Sequence, residues 1–295
     1  MRALTSFIIL CILSHSASAY ITVGNQRLDH AIYAAGHAPK LIVAGQIKKL
    51  EDDPVIGLRG APRVNIEFDI TSVILGEQKY GMSRLDINLS HFDWPHDLVQ
   101  LEKDVRCILV LRSDQVDGTN KYSVVSVVPA HRRSLKRVKD GEQAKRVLEA
   151  EIVSELVDEK STARQTELLI QVAPILTKDN AQQVVPFVES KNPWVKRAAL
   201  AGMIYATEDE EYIRQAAIDV QAFFTATGKD DLIDGRLAPY PFFLKHFFFL
   251  EKRSWTFGSR WSVKEAEKHL RILKTMLDLN VIDDKVASIL NPNQD

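Results

Sequence analysis

The segment HFDWPHD, residues 91–97, contains the best candidate metal ligands in the sequence. Imidazole nitrogens and carboxylate oxygens bind zinc, and an open position on the metal can activate water for hydrolysis. His91, Asp93 and His96 would be the ligands, and Asp97 a supporting carboxylate or general base. No regular element fixes this spacing, unlike the two histidines of an HExxH helix, so a polar connecting loop is the favoured interpretation. A metal-dependent hydrolase is the alternative function.

A second candidate is the aromatic segment LAPYPFFLKHFFFLEKRSWTFGSRW, residues 237–261. Its aromatic side chains are typical of a groove for an apolar ligand or a peptide, with Phe247, Trp255 and Trp261 as expected binding residues. The same composition is typical of a cap that closes the core of a short helical array, and this interpretation is favoured.

A third candidate is the basic segment HRRSLKRVKDGEQAKR, which could contact phosphates or an acidic partner. No aromatic residues alternate with its cations to stack on single-stranded bases. A solvated linker over residues 131–141 is therefore favoured, and no nucleic-acid partner is expected. The cations of the whole segment, residues 131–146, are Arg132, Arg133, Lys136, Arg137, Lys139, Lys145 and Arg146.

Common catalytic motifs are missing from the sequence. GxSxG, SxxK, Walker, GxGxxG and HExxH patterns are all absent, which disfavours an enzyme, and no cofactor is expected. Cys107 lies in the apolar run VRCILVL and is predicted to be a small buried residue rather than a nucleophile. The formal net charge of −1 provides no overall field that would gather nucleic acid or anionic lipid.

The first nineteen residues predict a secretory signal peptide. Arg2 precedes an apolar run from Phe7 to Leu13, and Ala17-Ser18-Ala19 has the small-x-small form of a cleavage site. We therefore expect cleavage between Ala19 and Tyr20 and a periplasmic or secreted chain. No later stretch approaches the roughly 20 apolar residues that a membrane span needs, so no integral membrane segment is expected.

The apolar pattern changes at about residue 129. Before it, alternating apolar residues predict five strands, KLIVAGQIKKL, RVNIEFDITSVIL, RLDINL, DVRCILVL and KYSVVSVV. A change of parity predicts a β-bulge near Thr71 and Ser72. Five short strands without a helical crossover favour a small closed or nearly closed barrel over residues 20–130. LDHAIYAAG, residues 28–36, predicts a short helix that ends at a glycine.

Helical periodicity follows over residues 142–290. The segment AKRVLEAEIVSELV places its apolar residues on one stripe, Val147, Leu148, Ile152 and Leu156. Asn192 and Pro193 fit an N-cap and a first helical position. Asp179 with Gln182, Thr207 with Glu210, and Ser262 with Glu265 resemble capping boxes. The fold class expected is α+β, with a β-barrel domain followed by an all-α array.

The β-region resembles the OB-like or netrin-like barrels of exported bacterial proteins. The resemblance rests on LDHAIYAAGHAPKLIVAGQI, IEFDITSVILGE, LEKDVRCILVLRS and KYSVVSVV, in that order. Such barrels typically have a glycine where Asp104 stands. A netrin-like protease inhibitor is a third possible function. Such inhibitors bind the zinc ion of their target through a cysteine at the mature N-terminus, and this chain has Tyr20 there.

The helical region is similar to HEAT repeats. AQQVVPFVESK would be the first helix of a repeat and NPWVKRAALAGM the second. A shift of 32 residues places Leu168 on Leu200 and Arg164 on Lys196, which suggests one earlier repeat.

The function expected is an exported, non-catalytic interaction protein that binds another macromolecule through its helical surface. Short repeat arrays generally act by presenting an extended surface. A protein partner is expected, and the cations of the helices favour an acidic one. The expected binding residues are Lys196, Arg197, Arg214, Phe247, Trp255 and Trp261.

Overall fold

A computed structural model describes most of the chain beyond residue 40. The described ranges are 41–53, 63–76, 83–90, 99–116, 119–132, 135–226 and 263–290. The predicted signal peptide and the predicted helix over residues 28–36 lie outside them. In these ranges, no helix has the length and apolar character that crossing a membrane requires.

Five antiparallel strands form one sheet in the order β3-β2-β1-β4-β5. The long first strand is central, and its residues from Leu41 to Ala44 are buried on both faces. All five predicted strands are present, but β4 and β5 extend beyond DVRCILVL and KYSVVSVV into the residues between them. Their bounds are β1 Leu41–Asp53, β2 Arg63–Gly76, β3 Arg84–Ser90, β4 Arg106–Val116 and β5 Thr119–Pro129.

The predicted bulge in β2 is confirmed. Ala44 pairs with Ser72 and the next residue of β1, Gly45, pairs with Ile70, so Thr71 is the extra residue. Its hydroxyl donates a hydrogen bond to the carbonyl oxygen of Ala44 at 3.1 Å. A bulge of this kind bends the strand and changes which face its side chains occupy.

The sheet is open in the part of the chain that the structure describes. Strands β3 and β5 are its two edges, and no backbone ladder joins them. Closure of the predicted barrel is therefore not confirmed. The structure has a five-stranded antiparallel sheet followed by helices.

Seven α-helices follow the sheet in the described ranges. A 3-10 turn, Ala173–Ile175, extends the second of them. The helices are α1 Gly141–Asp158, α2 Thr162–Val172, α3 Lys178–Val188, α4 Pro193–Thr207, α5 Glu210–Ala226, α6 Val263–Asp278 and α7 Asp284–Leu290.

The cap predicted for α4 is confirmed, and two others are displaced. The Asn192 carboxamide oxygen accepts hydrogen bonds from the backbone N–H groups of Trp194 and Val195. Helix α3 begins after Thr177 rather than Asp179. At α5, the carboxylate of Asp209 accepts from the N–H of Glu211, so Asp209 takes the role predicted for Thr207. Acidic and hydroxyl residues compete for these positions within two residues of each other.

One continuous hydrophobic core joins the sheet to helices α1–α4. It extends from Leu41 in β1 to Met203 in α4 and includes Leu148, Ile152 and Leu156 of the predicted stripe. A second cluster begins at Ile204 and packs the end of α4 against α5, α6 and α7. The first core therefore includes residues on both sides of the boundary predicted at residue 131.

Candidate functional site

At the predicted basic linker, the described residues 130–132 and 135–140 form a connector that lies against the sheet. The N–H of Val138 donates to the carbonyl oxygen of Ile74 at 2.7 Å, and the N–H of Leu135 donates to the Ser72 hydroxyl at 3.2 Å. Strand β3 pairs with β2 only from Arg63 to Asp69. The connector thus covers the unpaired end of β2, where an open edge would otherwise present free backbone groups.

A fully buried carboxylate holds the start of the connector. Oxygen Oε2 of Glu151 in α1 accepts hydrogen bonds from the backbone N–H groups of His131 and Arg132 at 2.7 and 2.8 Å. Oxygen Oε1 lies 3.2 Å from Nε of Arg132, and the Glu151 side chain is inaccessible to solvent. Hydrogen bonds to an ionised acceptor are stronger than neutral ones, so Glu151 fixes the chain as it leaves β5.

A second buried carboxylate lies two residues earlier on α1. Oxygen Oε1 of Glu149 accepts from both the N–H and the hydroxyl of Thr177, at 2.6 and 2.7 Å. Thr177 precedes the first turn of α3, whose N-terminal N–H groups favour negative charge. Oxygen Oε2 lies 3.4 Å from Nη1 of Arg146. Glu149 and Glu151 therefore link α1 to the helical array and to the connector, respectively.

The cations of the connector face solvent. The Arg132 side chain is 57% exposed, and Lys136, Arg137 and Lys139 are also exposed. Nη2 of Arg137 donates to the carbonyl oxygen of Gly76 at 2.7 Å. The favoured expectation of a solvated segment is compatible with this exposure, but the backbone of the segment is anchored.

The predicted cations of the helical surface have different environments. Arg197 forms a bidentate ion pair with Asp219 of α5, with Nε–Oδ2 at 2.8 Å and Nη2–Oδ1 at 3.3 Å, and its side chain is only 13% exposed. Arg214 pairs with Glu210 one turn earlier and is 41% exposed. Lys196 is half-buried. Arg197 therefore joins two helices, whereas Lys196 and Arg214 remain accessible to a ligand.

The remaining predicted site residues lie outside the described ranges. Phe247, Trp255 and Trp261 belong to residues 227–262, and His91, Asp93 and His96 belong to residues 91–98. Among the described residues, no three His, Cys, Asp or Glu side chains are grouped so that they could hold a metal ion.

The polar face of the sheet has an open hollow of about 260 Å³ that no motif in the sequence indicates. Within it, Nζ of Lys49 lies 2.6 Å from Oε1 of Glu51, and this contact raises the pKa of Lys49. Glu67 and Asp86 are register partners on neighbouring strands. In the sequence, the polar residues of the hollow correspond only to the polar positions that alternate with apolar ones along β1, β2 and β3. Its lining residues are Lys49, Glu51, Asn65, Ile66, Glu67, Asp86 and Ile87.

Cys107 is fully buried in β4, and burial raises the pKa of its thiol because the thiolate would lose its hydration. We expect the folded chain beginning at Tyr20, which lacks Cys11, to resist thiol-specific reagents at mildly alkaline pH. The same chain in guanidinium chloride should react completely. Absorbance after addition of a chromogenic disulfide reagent measures both rates. Equal rates in the two conditions would contradict the buried position.

No family model, curated protein or solved structure matches this chain.

Proposed function

We propose that this chain is an exported, non-catalytic interaction protein that binds another protein through a HEAT-like helical surface attached to an OB-like β-domain. The proposal places an acidic region of the partner on the accessible cations of the helices. Export follows from the predicted signal peptide, and recovery of uncleaved chain in the cytoplasm after cell fractionation would contradict it.

The observation that carries the proposal is the stacking of the helices in pairs. Helix α1 packs on α2, and α3 packs on α4. The first helices of the two pairs, α1 and α3, also contact each other, as do the second helices, α2 and α4. Such contacts between equivalent helices are the arrangement by which helical repeats build an extended surface. The repeat shift of 32 residues supports this pairing, because Leu168 and Leu200 are both fully buried, in α2 and α4.

The strand order supports the OB-like part of the proposal. A five-stranded Greek-key barrel opened between β3 and β5 has the order β3-β2-β1-β4-β5, and these two edge strands contact each other here. Asp104, where such barrels typically have glycine, has a left-handed backbone with φ of 67°. Glycine adopts this conformation most easily, and aspartate tolerates it better than most other residues.

The helical surface that we propose for binding contains Lys196 and Arg214 but not Arg197. Lys196 and Arg214 are partly exposed and can be offered to a partner, whereas the guanidinium of Arg197 is occupied by both carboxylate oxygens of Asp219. Releasing Arg197 would leave Asp219 without that partner, which makes it an unsuitable contact residue.

The test of the proposal is a double charge reversal, Lys196→Glu with Arg214→Glu. We expect capture of a cross-linked partner from periplasmic extract to weaken roughly threefold to tenfold, most strongly at low salt, while the melting temperature stays nearly unchanged. Arg197→Glu is the contrasting variant. It should lower the free energy of unfolding by about 1–3 kcal/mol, because it places two carboxylates together between α4 and α5.

Two outcomes would contradict the proposal. Unaltered capture by the folded double variant would place the binding surface elsewhere. Turnover of a small substrate by the pure protein, with no partner recovered, would reject the non-catalytic function.

A further inference from the structure

The connector carries a set of cations that the proposed helical surface does not use. We name as the basic strip its four exposed and described cations, Arg132, Lys136, Arg137 and Lys139. Sequence positions 130–140 contain a single acidic residue, Asp140. Its carboxylate accepts a hydrogen bond from the N–H of Gln143 as the N-cap of α1. The strip is therefore strongly positive in a chain whose formal net charge is −1.

The backbone beneath these cations is held in place. Glu151 binds the N–H groups of residues 131 and 132, and the Ser72 hydroxyl and the Ile74 carbonyl hold Leu135 and Val138. Leu135 is 7% exposed. Since Leu135 and Val138 both pack against the core, the basic residues between and beside them are displayed on a fixed frame. A ligand would not have to order this segment on binding, which reduces the entropic cost.

Three cations of the strip, Lys136, Arg137 and Lys139, also have unused binding capacity. In the described part of the chain, the ammonium groups of Lys136 and Lys139 form no ion pair. Arg137 directs Nη2 at the Gly76 carbonyl and retains other N–H donors. Guanidinium and ammonium groups in this state are suited to carboxylates, and arginine can bind them in a bidentate manner.

We propose that the basic strip docks an extended, acidic segment of a protein partner. This inference rests on the proposed function and adds a second contact region to it. Cations displayed along an anchored segment match carboxylates spaced along an extended peptide. The apolar side chains of the connector turn inward, so the strip lacks the exposed anchors of a membrane-binding segment. It also lacks the aromatic platforms that stack on nucleic-acid bases.

The experiment measures binding of a fluorescently labelled peptide of alternating glutamate and glycine to the chain beginning at Tyr20. Lys136→Glu with Lys139→Glu is the test variant. The matched control is Lys160→Glu with Lys191→Glu, which makes the same change of net charge at two other exposed lysines. We expect the test variant to bind roughly tenfold more weakly and the control to bind nearly as well as the original chain. Added salt should weaken binding by the original chain.

Three results would overturn the inference. They are absence of peptide binding by the original chain, equal loss in the test and control variants, and binding to phosphatidylserine vesicles without binding to the peptide. Partner capture separates this inference from the proposed function. If the original chain captures a partner and the Lys136→Glu, Lys139→Glu variant captures it equally well, the function stands and the strip is excluded. If no partner is captured but the peptide binds the strip, the strip's specificity stands and the proposed function fails.

Discussion

Gly45→Ala is expected to lower the free energy of unfolding by at least about 3 kcal/mol, because a methyl group at this position has no room. A Cβ atom on Gly45 would lie 2.0 Å from the carbonyl oxygen of Asp69 and 2.6 Å from Cε1 of Phe68. The first neighbour is backbone, and the second belongs to a fully buried ring. Neither can move without separating β1 from β2, so strand pairing at the centre of the sheet would be disturbed.

Gly202→Ala provides the matched control for this prediction. Its new Cβ would meet Cδ2 of Leu176 at 3.1 Å, the end of a flexible side chain, and the next atom is at 3.6 Å. Alanine also favours the helix interior over glycine by up to about 1 kcal/mol, which offsets the contact. Thermal unfolding followed by circular dichroism should show a much lower melting temperature for Gly45→Ala than for Gly202→Ala. Equal melting temperatures would mean that β1 and β2 do not approach as described.

The strands could be predicted because local alternation determines them. Each side chain of a strand faces the opposite side from its neighbour, so burial of one face leaves a period of two in the sequence. The bulge at Thr71 was predictable for the same reason, since it reverses that parity. A second irregularity was not predicted. The pairing of Ile42 with Leu75 and of Val43 with Val73 skips Ile74, which is fully buried.

The sheet and helix junction could not be predicted, because long-range contacts determine it. Glu151 lies on the apolar face of α1, four residues after Val147 and three after Leu148, and Glu149 lies at the edge of that face, but their charge predicts that both side chains face solvent. Both are fully buried, because Thr177 and the connector approach from distant parts of the sequence and satisfy their carboxylates. Charge alone likewise suggested that the 131–141 segment is a solvated linker. Its anchors on β2 lie beyond Asp69, where β2 has no partner in β3 because β3 begins at Arg84.

The roles of the candidate binding residues also could not be predicted from the sequence alone. The sequence places Lys196 and Arg197 side by side at equivalent polar positions of α4. Only the packing of α5 distinguishes them, since it brings Asp219 to Arg197. Which of the two cations is structural and which can bind a partner is therefore decided by tertiary contacts between helices.

Glu151→Ala is expected to lower the free energy of unfolding by about 3 kcal/mol, since it removes the acceptor of two backbone N–H groups and the partner of Arg132. Glu151→Gln keeps one carboxamide oxygen that can accept both N–H groups, so its cost should be nearer 1 kcal/mol. Glu142→Ala, also in α1, is the control. The Glu142 side chain is 66% exposed and forms a surface ion pair with Lys145, so its loss should cost less than about 0.5 kcal/mol.

Two measurements check the Glu151 prediction, and the second locates its effect. Urea unfolding gives the order of stability, with Glu142→Ala first, Glu151→Gln next and Glu151→Ala last. Limited trypsin digestion reports the connector itself, because its basic residues are cleavage sites that the anchored backbone presents poorly to a protease. Under native conditions, Glu151→Ala should be cut within residues 131–140 several times faster than the original chain, while cutting elsewhere changes less. Uniformly faster cutting along the chain would contradict a local anchor, because the loss of Glu151 would then act only through global unfolding.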